Sequence, residues 1–277
     1  MTFDTELQQS ILAEIIIAAK NAGQAILRIY NNEELNIQTK SDDSPLTQAD
    51  LAAHRTIINH LTEKYSEIPC LSEESQNITF IDRKDWESCF IIDPLDGTKE
   101  FIARNDDFTV NIALVHQGKP IIGVIYVPVF DTLYYAATEL GAFKQQAKEE
   151  PVSIAVRRLP QKDGQNYFTV VASRRHGVEK VASLCQNFAN FELTSRGSSL
   201  KMCLVAEGSA DLYPRLAPTS EWDTAAAQVI VEQAGGQLVT LDYQPLVYNQ
   251  KESLLNPHFL VLGDAQFDWQ QHLVIPN

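Results

Sequence analysis

The sequence predicts a layered α/β fold made of two packed halves. In the first part of the chain, apolar residues recur at helical spacing and are followed by short apolar runs typical of strands, whereas strand and helix segments alternate beyond residue 151. The chain has 277 residues, about twice the usual size of one domain. We therefore expect an N-terminal α+β half over residues 1–150 and a C-terminal α/β half over residues 151–277, packed as one compact unit.

Two amphipathic helices are predicted in the first half. One spans residues 7–30, and the other begins near Thr47, where residues 47–50 have the form of a capping box, and ends near Tyr65. Strand-like runs follow, and we interpret them as a meander of antiparallel strands. These runs are residues 68–72, 89–92, 108–116 and 120–127, with a turn signal at 117–119.

The second half begins after the acidic stretch at residues 149–151, where we place a soft boundary. Its rhythm is one of strands and helices in alternation, which is typical of α/β units. The segments are residues 168–173, 178–188, 199–207, 224–234, 238–241 and 259–263.

The charge balance excludes one broad class of function. The chain has 36 acidic and 22 basic residues and a net charge of −14, so a nucleic-acid polymer would be repelled on average. A small anionic substrate would need metal cations or a local basic pocket to overcome this field. We therefore expect no nucleic-acid partner.

The cysteines and the N-terminus indicate a cytoplasmic protein. The four cysteines are scattered, without a CxxC pair, which is typical of thiols in a reducing compartment. The first residues lack the pattern of a secretory signal, and no apolar run approaches the roughly 18 residues of a spanning helix. We expect no transmembrane segment. Peripheral attachment to the cytoplasmic side of the inner membrane and the oligomeric state stay open.

A cluster of acidic residues follows the apolar run at residues 90–92. Asp93 and Asp96 stand at the carboxyl end of this predicted strand, where ligands bind in open α/β sheets, and carboxylates are hard oxygen ligands for Mg²⁺. Gly97 and Thr98 offer backbone N–H groups at a predicted helix start, which suits a phosphate. An ordinary helix cap is the alternative for such a turn taken alone.

Two further acidic ends favour the metal interpretation. Glu73 and Glu74 follow the strand-like residues 70–72, and Asp223 lies at the start of an alanine-rich helix. Three acidic strand or helix ends predict one metal cluster.

These motifs match a known family in order and in spacing. The chain resembles the inositol monophosphatase superfamily of Mg²⁺-dependent, lithium-sensitive phosphatases in residues 71–74, 93–98 and 222–226. It is most similar to the CysQ branch, the 3'(2'),5'-bisphosphate nucleotidases, in residues 40–50, 98–101, 197–201 and 204–208. The resemblance covers nearly the whole chain and implies an αβαβα sandwich like that of inositol monophosphatases and fructose bisphosphatases.

The resemblance also implies the metal ligands. Glu73, Asp93 and the Leu95 carbonyl would hold one Mg²⁺, and Asp93, Asp96 and Asp223 would hold a second, with Asp93 bridging the two. The family uses two or three Mg²⁺ ions per site. Such a pair of cations can activate a water molecule and neutralise the leaving oxygen.

The catalytic residues implied by the resemblance are Asp50, Glu73 and Thr98. Thr98, linked to Asp50, would orient the attacking water, and Glu73 would assist on the other side. Attack is expected in line, without a phosphorylated residue. The implied reaction removes the 3'-phosphate of adenosine 3',5'-bisphosphate to give AMP and phosphate, as part of sulfur assimilation and nucleotide recycling.

Substrate contacts are expected in both halves. The Gly-Ser-Ser turn before a predicted helix, with two nearby cations, would contact the nucleoside or its second phosphate, and the alternative is ordinary capping and surface charge. These candidates are Gly197, Ser198, Ser199, Lys201 and Arg215. The candidates around the metals are Glu73, Leu95, Asp96, Gly97, Thr98 and Asp223.

Three other functions stay open at this point. Inositol monophosphates or fructose 1,6-bisphosphate are alternative substrates, because a metal site recognises any phosphate ester. A non-catalytic nucleotide-binding protein is a second alternative. A haloacid-dehalogenase-type phosphatase is the third. Its first acid is a covalent nucleophile two residues before the second, whereas the wider spacing here is expected to put Asp93 and Asp96 on opposite sides of an extended chain.

Overall fold

The structure, a computed structural model, describes residues 2–32, 37–39, 45–75, 78–159, 167–172 and 178–275. Part of the motif at residues 40–50 lies outside these described residues. The helices are α1 Thr5–Tyr30, α2 Gln48–Lys64, α3 Phe80–Arg83, α4 Thr98–Ile102, α5 Val178–Leu184, α6 Leu200–Ala206, α7 Glu221–Gln233 and α8 Trp269–His272.

The strands form two large sheets and one hairpin. The seven-stranded sheet has the order β3-β4-β5-β6-β7-β8-β9, the five-stranded sheet has the order β11-β10-β12-β14-β13, and β1 pairs with β2. The strands are β1 Ile37–Thr39, β2 Pro45–Thr47, β3 Cys70–Ser72, β4 Ser88–Asp96, β5 Thr109–His116, β6 Lys119–Val127, β7 Thr132–Ala137, β8 Gly141–Gln146, β9 Val152–Ser153, β10 Tyr167–Ala172, β11 Asn190–Ser195, β12 Leu212–Arg215, β13 Gln237–Thr240 and β14 Phe259–Leu262.

The sheets and helices stack in five layers. Helices α1 and α2 cover one face of the seven-stranded sheet in one apolar core, and α6 and α7 lie between the two sheets in a second. A third core, which includes Val181, Leu184 and Trp269, joins α5 and α8 to the outer face of the five-stranded sheet. This αβαβα order is the sandwich that the resemblance implied.

Helix α1 is held inside the fold by its apolar face. By length and composition alone it could cross a membrane. Its residues Ile11, Ile15, Ala22 and Ile26 are fully buried, however, in the core that it shares with α2 and the seven-stranded sheet. We therefore interpret α1 as a core helix, although the sequence was expected to contain no segment long and apolar enough to span a membrane.

The predicted antiparallel meander is wrong for its first strand. β3 pairs in parallel with β4, whereas β4, β5 and β6 are antiparallel as expected. The chain between β3 and β4 passes through α3, which returns it to the same edge of the sheet. As a result, the acidic residues after β3 and those at the end of β4 lie at the same edge.

Several strands were not predicted. β8 carries mostly polar residues, β11 is partly exposed at the sheet edge, and β12 contains Pro214. β9, which pairs with β8, extends the seven-stranded sheet to Ser153, just beyond the expected boundary at residue 150. The division into residues 1–150 and 151–277 stays an interpretation.

Helix α7 packs unusually close to the seven-stranded sheet. Its residues Ala225, Ala226 and Ala227 are buried and small, and Gly123 of β6 faces them. A Cβ atom on Gly123 would lie 2.2 Å from the carbonyl oxygen of Ala226. The missing side chain therefore allows the backbone of α7 to touch the sheet, and this fixes the height of the helix above the sheet.

We expect Gly123→Ala to destabilise the protein by about 3 kcal/mol or more, because overpacking a core costs about 1–3 kcal/mol even where side chains can move. Gly141→Ala is the control. At φ 86°, with the Phe143 ring at 3.8 Å as its nearest neighbour, it should lose only the roughly 1–2 kcal/mol of a left-handed backbone. Denaturant unfolding measures both, and equal losses would contradict the close approach.

Candidate metal centre and adjoining cavity

Three carboxylates meet where the two halves of the chain join. Oxygen atoms of Asp93, Asp96 and Asp223 all lie within 4.8 Å of one another. Asp93 and Asp96 belong to the end of β4, and Asp223 lies in the first turn of α7. The structure therefore brings together the three aspartates expected to hold the second Mg²⁺.

A β-bulge places Asp93 and Asp96 on the same side of their strand. In the pairing with β5, Asp93 lies opposite Asn111 and Asp96 opposite Thr109, so three residue steps on β4 match two on β5. The extra step cancels the alternation of an extended strand. The expectation that the two acids lie on opposite sides is therefore wrong, and so is the argument drawn from it against a covalent mechanism.

The clustered acids hold their protons unusually tightly. Burial raises the pKa of Asp93 well above its ordinary value, and the charges of Glu73, Asp96 and Asp223 raise it further. Burial, together with Asp96, raises the pKa of Asp223 to about 7. Burial also raises the pKa of Asp96, although Lys201 opposes this rise.

This donor set fits a divalent cation. Three carboxylates crowded together, one buried and two partly buried at the cavity, gain most from a compact positive charge between them, and their hard oxygens are the ligands that Mg²⁺ prefers. The chemistry of the residues present therefore suits the metal that the resemblance implies.

Glu73 and Leu95 lie beside this cluster. The Glu73 side chain is hydrogen-bonded to Asp93, and its backbone N–H donates to the Ile92 carbonyl at 3.0 Å. The Leu95 carbonyl lies 3.4 Å from the Thr98 hydroxyl oxygen, the longer of two possible acceptor contacts of that hydroxyl, and the Leu95 N–H donates to Asp93 at 3.0 Å. The ligand group expected for the first Mg²⁺ thus adjoins the aspartate cluster through Asp93.

Asp50 is joined to Thr98 by a short relay. The Thr98 hydroxyl lies 3.2 Å from Asp50 Oδ1, while Asp50 Oδ2 accepts from the Thr47 N–H at 2.8 Å and from the Thr47 hydroxyl at 2.6 Å. Asp50 is only 1% exposed. The capping box of α2 therefore holds the carboxylate that contacts Thr98.

A polar group behind Asp96 was missed by the sequence analysis. Asp96 Oδ2 accepts from the Ser199 N–H at 2.6 Å and from the Asn111 side chain at 3.3 Å. Thr109 and Ser199 both donate to Asn111 Oδ1 at 2.9 Å. The available signal was two polar residues, Thr109 and Asn111, in the otherwise apolar strand β5. The backbone N–H of Ser199, which we expected to contact the substrate, donates to Asp96.

A cavity of about 300 Å³ opens beside the carboxylates. Among the residues expected to contact substrate or metal, those that line it are Asp96, Gly97, Gly197, Ser198, Ser199, Lys201, Arg215 and Asp223. Lining residues missed from the sequence are Lys99, Glu100, Asn105, Arg196, Met202, Tyr213, Thr219, Thr224 and Phe259. Glu73, Leu95 and Thr98 are outside this lining set.

The cations of the cavity have partners of their own. Lys201 Nζ donates to the Ser198 carbonyl at 2.6 Å, and Arg215 donates to the carbonyls of Ala217 at 3.1 Å and Pro218 at 2.9 Å. Burial lowers the pKa of Lys201, and the nearby Asp96 charge opposes this. Both side chains are therefore held in place at the wall of the cavity.

Gly197 lets two loops meet at the cavity. Its N–H donates to Asp107 Oδ2 at 3.0 Å. A Cβ atom at this position would lie 2.7 Å from the Asp107 carbonyl and 2.8 Å from Glu100 Cγ. Glycine is needed here because any side chain would push the Gly-Ser-Ser turn away from the segment after α4.

Comparison with known proteins identifies relatives over nearly the full length. Residues 7–269 match the model of the inositol monophosphatase family. The 3'(2'),5'-bisphosphate nucleotidase CysQ of Salmonella typhimurium is 44% identical over 252 residues, covering 91% of this chain and 99% of the relative. CysQ of Haemophilus influenzae is 38% identical over 268 residues, covering 95% and 97%.

A solved structure has the same architecture. The crystal structure of CysQ from Bacteroides thetaiotaomicron, a bacterial member of the inositol monophosphatase family, matches with a TM-score of 0.78 at 44% identity and covers 93% of this chain and 98% of that chain. The family resemblance and the layered α/β fold class predicted from the sequence are thereby confirmed.

The raised pKa of Asp223 predicts how metal-free stability depends on pH. Between about pH 4 and pH 7 the unfolded chain releases this proton while the folded chain keeps it, so the contribution of Asp223 to stability is lost as pH rises through this window. In chelator, Asp223→Asn should raise the melting temperature at pH 8 and change it little at pH 4.

Thermal unfolding of both proteins in EDTA at pH 4, 6 and 8 measures this difference. A gain of a few degrees at pH 8 is expected, since about 1 kcal/mol corresponds to about 2–4 °C in a chain of this size. Asp242→Asn, which changes an aspartate in the turn after β13 away from the cluster, is the control. A variant that is equally stabilised at every pH would contradict the prediction.

Proposed function

Because this chain belongs to the inositol monophosphatase family, we propose that it is a Mg²⁺-dependent 3'(2'),5'-bisphosphate nucleotidase that hydrolyses the 3'-phosphate of adenosine 3',5'-bisphosphate. The observation that carries this proposal is the cluster of Asp93, Asp96 and Asp223 at the edge of a cavity with basic side chains in its wall. The names of the relatives support the same activity.

The acidic residues would hold two or three Mg²⁺ ions. Asp93, Asp96 and Asp223 form one donor set, and Glu73 with the Leu95 carbonyl adjoins Asp93 as the second. When bound, Mg²⁺ supplies positive charge that acidifies a water molecule and neutralises the leaving oxygen. The cluster keeps its shape because Asp96 is fixed by backbone and amide donors.

Thr98 orients the attacking water in this proposal. Its hydroxyl proton points to Asp50 Oδ1, so a lone pair of Thr98 Oγ1 is left to accept a proton from water. Asp50 is held by both donors of Thr47, which leaves it little freedom to turn. The pair therefore fixes the direction of attack, and Glu73 assists from the other side of the cluster.

The substrate class follows from the walls of the cavity. In a chain with a net charge of −14, Lys201 and Arg215 supply local positive charge for the phosphate that is not hydrolysed. The largely buried aromatic rings of Tyr213 and Phe259 line the same cavity. Both rings are at most 3% exposed, so the two cations carry the preference. They can bind a second phosphate, which an inositol monophosphate lacks, and the names of the relatives favour a nucleotide over fructose 1,6-bisphosphate.

A non-catalytic binding protein is not favoured by the site. All five proposed ligand residues are present, and the Asp50 and Thr98 pair that binding alone does not need is intact. The cytoplasm is the compartment we propose, because all four cysteines are free thiols. A role in sulfur assimilation and nucleotide recycling, and inhibition by lithium, come from the family resemblance.

We expect Thr98→Val to lower kcat by about a hundredfold or more, because positioned proton-accepting groups contribute about 10²–10⁴-fold. Thr98→Ser keeps the hydroxyl and should retain most of the turnover. Calorimetric titration should give both variants nearly wild-type Mg²⁺ affinity, since the Thr98 side chain is not a proposed ligand. Full turnover by the valine variant would remove Thr98 from the mechanism.

A substrate panel tests the proposed specificity. Wild-type protein should prefer adenosine 3',5'-bisphosphate to inositol 1-phosphate and fructose 1,6-bisphosphate, and should lose activity in EDTA. Lys201→Met and Arg215→Met should each raise KM for the bisphosphate by about 10- to 150-fold, which corresponds to the roughly 1.5–3 kcal/mol of a charge-assisted hydrogen bond. A simple phosphate monoester should be hydrolysed almost unchanged.

The matched control is Lys148→Met, which removes an exposed lysine outside the cavity. It should leave every KM unchanged. Equal losses on all substrates, or a wild-type preference for inositol phosphate, would contradict the nucleotidase assignment and leave a metal-dependent phosphatase of another specificity.

A further inference from the structure

A buried arginine lies outside the site and has no role in the proposed mechanism. Arg83, the last residue of α3, is 1% exposed. Its guanidinium donates to Asn249 Oδ1 at 2.8 Å and to the carbonyls of Lys251 and Glu252 at 3.0 and 2.7 Å. The Asn249 side chain donates back to the Arg83 carbonyl at 2.9 Å. Arg83 thus holds a stretch of chain from the second half.

That stretch, residues 249–256, is called the clamp segment here, and it wraps around the first turn of α7. The Asn249 N–H and Lys251 Nζ donate to the two carboxylate oxygens of Glu221, at 2.7 and 2.5 Å. The Glu221 N–H donates to the Leu254 carbonyl at 2.8 Å, and the Asn256 side chain donates to the Ser220 carbonyl at 2.7 Å.

The clamp segment is therefore connected to the metal centre indirectly, through the first turn of α7. Glu221 and Asp223 lie in the same helical turn, and the Asp223 carboxylate caps that turn by accepting from the Ser220 N–H at 2.8 Å. Any tilt of the turn moves the Asp223 oxygens relative to Asp93 and Asp96. These two acids belong to β4, which follows α3 directly along the chain.

We propose that Arg83 is a positioning residue for the metal centre. Through the clamp segment and Glu221, it fixes Asp223 of the second half against Asp93 and Asp96 of the first. The inference rests on the proposed Mg²⁺ site, but it concerns a residue that touches neither metal nor substrate.

Removing only the Arg83 end of this hydrogen-bond network leaves its acceptors in the clamp segment without a donor, which costs free energy. Without the guanidinium, Asn249 Oδ1 and the partly buried carbonyls of Lys251 and Glu252 lose their donor, and such groups seek other partners by moving. The clamp segment is the part free to move, because α7 is pressed against the sheet at Gly123. The first turn of α7 then loses the contacts that hold the Asp223 carboxylate in position.

The test is calorimetric titration of the full-length protein with Mg²⁺, without substrate. Arg83→Met keeps much of the side-chain volume and removes the donors. It should weaken Mg²⁺ binding by about tenfold, the lower end of what groups behind metal ligands contribute. Lys251→Met removes one partner of Glu221 from a half-exposed position. It should fold readily and weaken Mg²⁺ binding less than Arg83→Met does.

Arg157→Met is the matched control. It breaks another arginine contact to a buried carboxylate, that of Asp211, which is 1% exposed and also accepts from the Thr169 N–H of β10. It should lose comparable stability in thermal unfolding and keep Mg²⁺ affinity within about twofold, the usual scatter of such context effects. The control therefore distinguishes an effect on the position of Asp223 from a general loss of stability.

The outcomes distinguish this inference from the proposed function. If wild-type protein fails to bind Mg²⁺, the metal centre itself is wrong. If wild-type binds and both Arg83→Met and Lys251→Met bind equally well, the positioning role of Arg83 is wrong. Equal weakening in Arg157→Met would also overturn it. Should Arg83→Met fail to fold, an unchanged Mg²⁺ affinity in Lys251→Met overturns the inference.

Discussion

The mutual repulsion of three carboxylates is the constraint on which the rest of the structure depends. Asp93, Asp96 and Asp223 keep their oxygens within 4.8 Å of one another. Two unit charges at about 4 Å repel by about 4 kcal/mol at the effective dielectric near a protein surface. Before any cation arrives, this repulsion is relieved by protons, as the raised pKa values of the three acids indicate, and the fold must keep the groups close while they exchange those protons for a cation.

Three separate features keep these groups close. The bulge in β4 turns Asp93 and Asp96 to one side, the contact between Gly123 and Ala226 sets the height of α7, and the clamp segment steadies its first turn. The bulge contains proposed ligand residues, and the other two features contain none. Each feature positions backbone that carries a proposed ligand. Residues far apart in sequence therefore all contribute to the geometry of the metal centre.

The acids themselves could be predicted from the sequence because Glu73, Asp93 and Asp96 follow apolar runs and Asp223 begins a predicted helix, and these patterns are local. Their geometry could not. The side that Asp93 faces depends on a bulge seen only in pairing with β5, and β3 joins the sheet in parallel because of where α3 returns the chain. Asn111 escaped notice since its role needs Ser199, far along the sequence. β7, by contrast, has an ordinary strand composition and was predictable.

The position of the clamp segment after all the ligand residues has a consequence for biosynthesis. Four of the five proposed ligand residues leave the ribosome early, whereas the helix bearing Asp223 and the segment 249–256 that steadies it are made much later. Domains fold as their residues emerge from the ribosome, and synthesis proceeds at about 5–20 residues per second. The metal centre therefore cannot be completed until that helix and the clamp segment have both emerged, and a chain that stops before residue 249 would lack the segment that supports Asp223.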